Sequence, residues 1–192
     1  MRILHVIQEL GTGGAEQVLL STYRGAREAG HEVFVAGAPG PLAAGLETEP
    51  LPVPYVERRP WRIPGAVNAV RRAVRQTRPD VVHAHNPTMG LATGLATLRG
   101  RRPAGLVSVH GVPEEDWPRT VRVLRLAGLP AVACGPGVAA ALEEHGLSPM
   151  ATVPNAVGPA PPRARDPLRN RARRGSAATR PRRTRSGRGR EP

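Results

Sequence analysis

Short apolar runs alternate with amphipathic stretches from Met1 to about Val157, and this alternation constrains the fold more than any other feature of the chain. Runs such as Arg2–Ile7 and Ala104–Val109 are mostly apolar, which is typical of strands buried between two layers. The stretches between the runs repeat apolar residues at steps of three and four, the period of an α-helix. Because alternating strands and helices form parallel sheets through right-handed crossovers, the sequence predicts an α/β fold with a doubly wound, Rossmann-like parallel sheet.

The predicted strands and helices take up most of this region. The predicted strands are Arg2–Ile7, His31–Ala36, an edge strand within residues 53–57, a strand within residues 79–87, Ala104–Val109, a strand that ends near Cys134, and Met150–Val153. The predicted helices are Ala15–Ala29, Pro64–Arg78, Met89–Leu98, Pro118–Ala127 and Gly137–His145. Residues 38–54 are rich in proline and glycine and are predicted to form a long loop.

The composition of the chain changes at Gly158. The whole chain of 192 residues has a net charge of +13, and residues 158–192 hold 12 arginines, two acidic residues and a single leucine. Such a segment cannot bury enough apolar surface to offset the entropy of an ordered chain. The sequence therefore predicts a Rossmann-like domain over residues 1–157 and a disordered, Arg/Pro-rich tail over residues 158–192.

Several classes of protein are excluded by composition and by the first residues. No apolar run is long enough to span a bilayer, and Met1–Ile7 is too short for the apolar part of a signal peptide. The single cysteine, Cys134, rules out an internal disulfide. These features predict a protein of the reducing cytoplasm.

Three glycines stand between the first strand and the first helix, in the sequence QELGTGGAE. In a doubly wound sheet the loops that follow the strands form the ligand-binding crevice. Gly13 and Gly14 allow backbone N–H groups to approach an anion closely, and the helix start near Ala15 adds unpaired N–H groups and partial positive charge. The spacing alone fits a diphosphate site and a tight turn without a ligand equally well.

The same loop argues against one class of enzyme. A dinucleotide-binding fingerprint, G-x-G-x-x-G, would start at Gly11, but its third glycine falls on Glu16. The acidic residue expected after the second strand is also missing, because Ala36, Gly37 and Ala38 stand there. A nicotinamide-dependent oxidoreductase is therefore not expected.

The predicted helix Pro64–Arg78 carries a basic face opposite its apolar stripe. The arginines of this face are Arg71, Arg72, Arg75 and Arg78. A solvated surface explains the face, and contact with the anionic headgroups of a membrane is the alternative.

Six segments, in this order and spacing, resemble the N-terminal half of a family 4 glycosyltransferase with the GT-B fold. They are GTGGAEQVLL, REAGHEV, PDVVHAHNP, VSVHG, GPGVAAALEEHGL and VPNAV. The resemblance implies that a sugar is transferred from a nucleotide-diphosphate sugar to an acceptor hydroxyl, with retention at the anomeric carbon. It implies that this domain mainly holds the acceptor, while a second domain mainly holds the nucleotide. It implies no cofactor, since the nucleotide sugar is a co-substrate, and no metal.

The resemblance also implies roles for individual residues. Gly13 and Gly14 match the glycine pair that lies over the donor diphosphate, where N–H donors stabilise the leaving group. His110 matches a histidine that contacts the donor sugar near the reacting centre, and is the predicted catalytic residue. Without the resemblance, a hydrogen bond from His110 to a backbone carbonyl would be the preferred interpretation.

Other polar residues around the predicted crevice are candidates for the acceptor. His83 and His85 alternate on one strand and so point to the same side, but two histidines without a third ligand are a weak metal signal. We predict that His83 packs in the interior and that His85 and Asn86 face the acceptor. Glu9 and Glu16 flank the glycines and are predicted to meet acceptor hydroxyls, although Glu16 equally suits the positive end of a helix.

The chain departs from the family after the VPNAV segment. The second domain, with its residues for the nucleotide, is absent, and the tail resembles a GC-rich gene translated out of frame. A frameshift or truncation after Val157 is one hypothesis. A functional basic tail that contacts nucleic acid or an anionic membrane is the other. Specific nucleic-acid binding is not expected, because the tail has no aromatic residues for base stacking.

The sequence therefore predicts a domain of a sugar-nucleotide-dependent glycosyltransferase that transfers sugar poorly or not at all by itself. Its expected partners are a nucleotide sugar, a carbohydrate, lipid or small-molecule acceptor, and the inner face of a membrane. The alternative is a non-catalytic Rossmann-like binding module with a basic tail.

Overall fold

The structure is a computed structural model, and it describes residues 1–56, 59–98 and 103–155. The predicted domain boundary at Val157 and the predicted disordered tail lie outside the described residues and stay predictions. Within the described ranges, no helix combines the length and the apolar character that crossing a bilayer requires.

Strands and helices alternate along the described part of the chain. The strands are β1 (Arg2–Glu9), β2 (Glu32–Ala38), β3 (Leu51–Pro52), β4 (Val81–Ala84), β5 (Ala104–Val109), β6 (Ala131–Ala133) and β7 (Ala151–Thr152). The helices are α1 (Gly14–Glu28), α2 (Ile63–Thr77), α3 (Pro87–Thr97), α4 (Trp117–Ala127) and α5 (Pro136–Glu144). Short 3₁₀ segments lie at Pro41–Gly45, Pro60–Arg62 and Glu114–Asp116.

All seven strands form one parallel sheet in the order β3-β2-β1-β4-β5-β6-β7. The chain first builds the sheet outward from β1 to β3, and then returns to add β4 on the other side of β1. The predicted doubly wound, Rossmann-like sheet is confirmed. Its strand order reverses between β1 and β4, the place where such sheets bind ligands.

Two apolar cores lie on opposite faces of the sheet. Successive side chains of a strand point to opposite faces, so Leu4 and Val6 of β1 belong to one core and Ile7 belongs to the other. The larger core packs under α2, α3 and α4, with Leu142 of α5 at its end. The smaller core packs under α1, whose Leu19 and Tyr23 are buried against β1 and β2.

The predicted bounds differ from the observed ones at a few places. The edge strand β3 consists of Leu51–Pro52, just before the predicted residues 53–57. Val53 N–H still donates to the Gly37 carbonyl at 3.3 Å, and Pro54, which has no N–H, ends the pairing. The predicted loop of residues 38–54 also contains the 3₁₀ turn Pro41–Gly45.

Candidate functional site

The candidate site lies at the carboxyl edge of the sheet, beside the reversal of strand order. Parallel strands all end at this edge, so the loops after β1, β4 and β5 meet there. The first loop contains the glycines, the second begins at His85 and Asn86, and the third begins at His110. Tertiary structure therefore brings together residues that are up to about a hundred positions apart in the sequence.

The glycine loop is held in place at its start by Leu10. This fully buried residue donates its N–H to the Ala38 carbonyl and accepts a hydrogen bond from Leu42 N–H, both at 3.0 Å. Gly40 packs so closely that a Cβ there would overlap the Leu10 carbonyl oxygen. Only glycine fits at this position, and its backbone packs directly against the Leu10 carbonyl at the start of the loop.

The backbone amides at the end of the loop are available for a ligand. Gly13 is the extended N-cap of α1, with φ −74° and ψ 176°, and no side chain caps the helix. None of the hydrogen bonds among the described residues uses the amides of Gly13, Gly14 or Ala15. Gly13 and Gly14 are exposed, and no atom lies within 4 Å of the place where a Gly14 Cβ would stand. Such free amides at a helix N-terminus favour an anion.

The Glu16 carboxylate folds back over the same loop. A Cβ on Gly13 would lie 2.5 Å from Glu16 Oε2, and one on Gly11 would lie 3.7 Å from Glu16 Oε1. Glu16 is also close enough to His110 to raise the pKa of that imidazole, against the larger opposite effect of burial. The carboxylate thus lies against the glycines and within electrostatic reach of His110.

His110 follows the last residue of β5 and is half-buried. Both of its ring nitrogens are buried from solvent, and neither has a hydrogen-bond partner among the described residues, so a sugar reaches them only after neighbouring side chains move. Burial lowers its pKa below 6.5, with Glu16 opposing the shift, so the ring is neutral at neutral pH. A neutral imidazole with two free nitrogens can both donate to and accept from a sugar hydroxyl.

Asn86 begins the second loop and has two uses. Its Oδ1 accepts a hydrogen bond from Met89 N–H at 2.8 Å and so caps α3. This cap explains why α3 begins at Pro87, two residues before the predicted start. Its amide nitrogen remains available to a cleft of about 480 Å³ that Asn86 lines together with Gln8.

The cleft beside Asn86 lies between α2, α3 and α4. Its walls include the apolar side chains Val56, Ile63, Leu91, Val112 and Val123. Two exposed arginines, Arg59 and Arg119, also line it, and neither forms a salt bridge with a described residue. The carboxylate of Asp116 lines it too, so the cleft combines apolar walls with two arginines and one acidic group.

His85 lies beneath the crevice and not on its surface. It is fully buried, and its Nε2 hydrogen bonds with His5 Nδ1 at 2.9 Å. His83 is half-buried, and its Nε2 hydrogen bonds with Ser108 Oγ at 2.8 Å. The acceptor role of His85 stays a prediction that this buried position does not support.

The predicted site residues thus fall into three groups. Gly13, Gly14, Glu16 and His110 lie together at the glycine loop, and Asn86 lines the cleft. Glu9 and His85 form the third group, which does not line the cleft: Glu9 is the half-buried last residue of β1, paired with Ala38, and His85 is fully buried. The roles assigned to these residues stay predictions.

Sequence reasoning missed Gly40, the two cleft arginines and His5. Gly40 stands in a proline- and glycine-rich segment where no single glycine is conspicuous. Arg59 and Arg119 are separated by 60 positions and come together only in the fold. His5 lies within an apolar strand, and a single histidine there does not indicate a functional site.

Comparison with known proteins gives the family. Residues 12–160 match the sequence profile of Glycosyltransferase Family 4, which covers more than half of the chain. Among curated proteins none matches this sequence.

Solved glycosyltransferases share the fold. The apo lipopolysaccharide outer core galactosyltransferase WaaB matches with a TM-score of 0.67 and 16% identity over 86% of this chain and 50% of that chain. Anabaena HepE, solved with UDP-glucose, matches with a TM-score of 0.66 and 20% identity over 93% of this chain and 50% of that chain. A glycosyltransferase from Rickettsia africae matches with a TM-score of 0.61 and 18% identity over 93% and 50%.

The chain therefore spans about half the length of the structures that it matches. Its parallel sheet and flanking helices have the fold of an N-terminal half of a GT-B glycosyltransferase, as the sequence predicted. The profile match over residues 12–160 and the shared fold lead to one conclusion: the chain belongs to glycosyltransferase family 4.

Proposed function

We propose that this chain contributes the acceptor-side half of an enzyme that transfers a sugar from a nucleotide-diphosphate sugar to an acceptor hydroxyl. The observation that carries the proposal is the set of amides at Gly13, Gly14 and Ala15 that have no hydrogen-bond partner among the described residues, with open space at Gly14 and only the Glu16 carboxylate over Gly13. Negative charge grows on the diphosphate as it leaves, and N–H groups fixed in advance stabilise it without reorganising. HepE, which shares the fold, was solved with UDP and with UDP-glucose, and this supports a nucleotide sugar as the donor.

His110 is the proposed contact to the donor sugar near the reacting carbon. Its two unpartnered nitrogens allow a hydrogen bond to a sugar hydroxyl, and its lowered pKa keeps it neutral beside the reaction. A neutral ring adds no positive charge that would bind the diphosphate in place of the sugar. Glu16 is proposed to turn away from Gly13 when the diphosphate arrives and to meet an acceptor hydroxyl.

The cleft of about 480 Å³ is the proposed acceptor site. Its apolar walls and its two arginines, which outnumber the one lining carboxylate, Asp116, fit an acceptor that has an apolar part and an anionic group. Asn86 is proposed to orient the acceptor hydroxyl with its side-chain amide. His85 is left out of this site because it is fully buried.

Contact with an anionic membrane is proposed for the surface that begins at Trp61. The Trp61 side chain is 72% exposed and directly precedes α2, which carries the exposed arginines Arg72 and Arg75. An exposed indole and nearby arginines match the chemistry of a bilayer interface. The chain is expected to cosediment with vesicles that contain anionic lipid and not with neutral vesicles. Trp61→Ala is expected to reduce the amount of chain that cosediments. Equal binding to both kinds of vesicle would contradict the proposed contact.

The donor site is tested through binding, because the chain is half the length of its structural relatives. In ¹⁵N-labelled full chain, UDP-glucose is expected to shift the amide signals of Gly13, Gly14 and Ala15. Gly14→Val places a side chain where the diphosphate approaches, and is expected to weaken binding about tenfold or more, since charged hydrogen bonds contribute about 1.5–3 kcal/mol. The fold tolerates this change, because nothing lies within 4 Å of the new Cβ.

Gly25→Ala is the matched control. It also adds a side chain on α1 where nothing lies within 4 Å, but in the interior of the helix and away from the loop. It should raise helix stability by about 0.5–1 kcal/mol and leave donor binding unchanged. Amide signals of the loop that stay unmoved at millimolar UDP-glucose would refute the diphosphate role.

A further inference from the structure

Three histidines form a cluster that the proposed function does not use. His5 lies on β1, His83 lies opposite it in register on β4, and His85 directly follows β4. Their side chains share one face of the sheet, because they alternate with Leu4, Val82 and Ala84 of the opposite core. The two strands thus hold three imidazoles together, although 78 residues separate His5 from His83.

The nitrogen atoms of the cluster are close enough to share one ion. One ligand atom from each histidine lies within 4.8 Å of the others. His5 Nδ1 and His85 Nε2 are 2.9 Å apart, and the rings of His83 and His85 stack at 4.1 Å between centroids. Two imidazole nitrogens at about 2.0–2.1 Å from a zinc ion would stand about 3 Å apart or slightly more, so the closest pair is already near that spacing.

Two ring nitrogens of the cluster are buried without a partner. His5 and His85 are 1% and 0% exposed, and neither His5 Nε2 nor His85 Nδ1 has a hydrogen bond within the described residues. These are the ring atoms opposite those that face each other in the His5–His85 hydrogen bond, so each can carry the ring proton when the facing atom binds an ion. Burial also lowers the pKa of His5 to about 3 and of His83 to about 4, and a neutral imidazole is the form that binds a metal.

A groove leads from the surface to the cluster. Its volume is about 410 Å³, and its walls include His83, Ser108, His110 and Cys134. His83 is therefore both a member of the cluster and part of the groove wall. An ion that enters the groove meets His83 first and then the buried pair behind it.

We propose that His5, His83 and His85 form a binding site for a divalent transition-metal ion of the class that prefers imidazole ligands, with Zn²⁺ as the ion to test. In this site His83 gives up its hydrogen bond to Ser108 and turns toward His5 and His85. The ion takes the place of the proton between His5 Nδ1 and His85 Nε2, and that proton moves to the other nitrogen of the ring that carried it. The fourth position opens toward the groove and holds water. Such an ion would tie β1 to β4 beneath the glycine loop.

The test uses the full chain without a histidine tag, freed of metal with a chelator. Zn²⁺ at a free concentration 100 times its Kd is expected to raise the melting temperature by about 5–10 °C. Co²⁺ in its place should give the visible absorption of a nitrogen-ligated ion. Zn²⁺ should also shift the ring ¹⁵N signals of His5, His83 and His85 in the unmodified protein, so the result does not depend on whether a variant folds.

His83→Gln is the first variant, since its half-buried side chain is the one most safely changed. It is expected to abolish the rise in melting temperature, whereas His31→Gln, at the opposite edge of the sheet, is expected to leave the rise unchanged. Zinc that leaves both the melting temperature and the ring signals unaltered would overturn the proposal and leave a hydrogen-bonded packing cluster. A rise that survives His83→Gln and disappears in His31→Gln would overturn it as well, because the ion would then sit on the surface.

Discussion

The two faces of the central sheet are made from alternate residues of the same strands, yet they hold different chemistry. On the face under α2, α3 and α4, side chains such as Leu4, Val82 and Val107 are apolar and fully buried. On the other face, beyond the small core under α1, the neighbours of those residues are His5, His83 and Ser108. One face therefore contributes apolar packing, while the other holds polar groups on the side of the sheet where His110 and the glycine loop lie.

The difference shows how a buried parallel sheet accommodates a functional region. A sheet covered on both faces is normally apolar on both, because unpaired polar groups are costly there. Here the polar residues pair only in part: His5 bonds with His85 and His83 with Ser108, while His5 Nε2 and His85 Nδ1 have no partner among the described residues. Their cost is tolerable only because the opposite face is densely apolar.

The largest expected effect tests the apolar face. Leu4→Ala removes a fully buried side chain from the larger core, and is expected to lower the free energy of unfolding by about 2–5 kcal/mol. Ile3→Ala, one residue earlier on the other face, should cost clearly less because Ile3 is only half-buried. Urea titrations of both variants measure the contrast, and equal losses would show that the two faces contribute alike.

Acid should act on the histidine face. In the metal-free folded chain the pKa of His5 is lowered to about 3 and that of His83 to about 4, by burial first and by neighbouring histidines second. Between pH 6.5 and pH 4 the unfolded chain therefore binds protons that the folded chain does not, so stability falls as the pH falls. At pH 5 the loss is on the order of 2 kcal/mol for each histidine.

Urea midpoints at pH 7 and pH 5 measure this loss. His83→Gln removes one of the four histidines whose pKa is lowered, His5, His83, His85 and His110, and should make the pH dependence shallower. Leu4→Ala should shift both midpoints and leave their difference intact. A difference that is the same in His83→Gln as in the unmodified chain would place the acid sensitivity elsewhere.

The smallest expected effect concerns a single hydrogen bond. Ser108→Ala removes the partner of His83 Nε2, and is expected to lower the free energy of unfolding by about 1 kcal/mol. Val107→Ala, its neighbour on the apolar face, should cost more, because Val107 is fully buried and packs against Gly90. If the serine variant is the less stable of the two, the polar face contributes more to stability than the pairing argument allows.

Much of the fold could be predicted because its signals are local. The strand Ala104–Val109 was predicted with its observed bounds, and the predicted helices differ from the observed ones by at most two residues at either end. Apolar runs and helical periods depend only on residues that are close along the chain, so they can be recognised without knowledge of the fold. The edge strand β3 was misplaced because its two residues, Leu51–Pro52, are too few to form a pattern.

The candidate site could be predicted only in part. The glycine pair is a local signal, and its amides have no hydrogen-bond partner among the described residues, while its role stays a prediction. For His85 the alternation along the strand indicated the face to which the ring points. It did not indicate that His5 hydrogen bonds with the ring and that His85 is fully buried. Burial is a property of all the elements around a side chain, and no window of sequence contains them.

By itself the sequence determined the order of strands and helices, the parallel sheet and the loop where amides are free, because each depends on residues that are close along the chain. The tertiary structure alone decided that His5 meets His85 across 80 positions, that Gly40 supports Leu10, and that Arg59 and Arg119 share a cleft. The physical reason is that a parallel sheet pairs strands through long crossovers. Its neighbours in space are therefore set by packing, and not by distance along the chain.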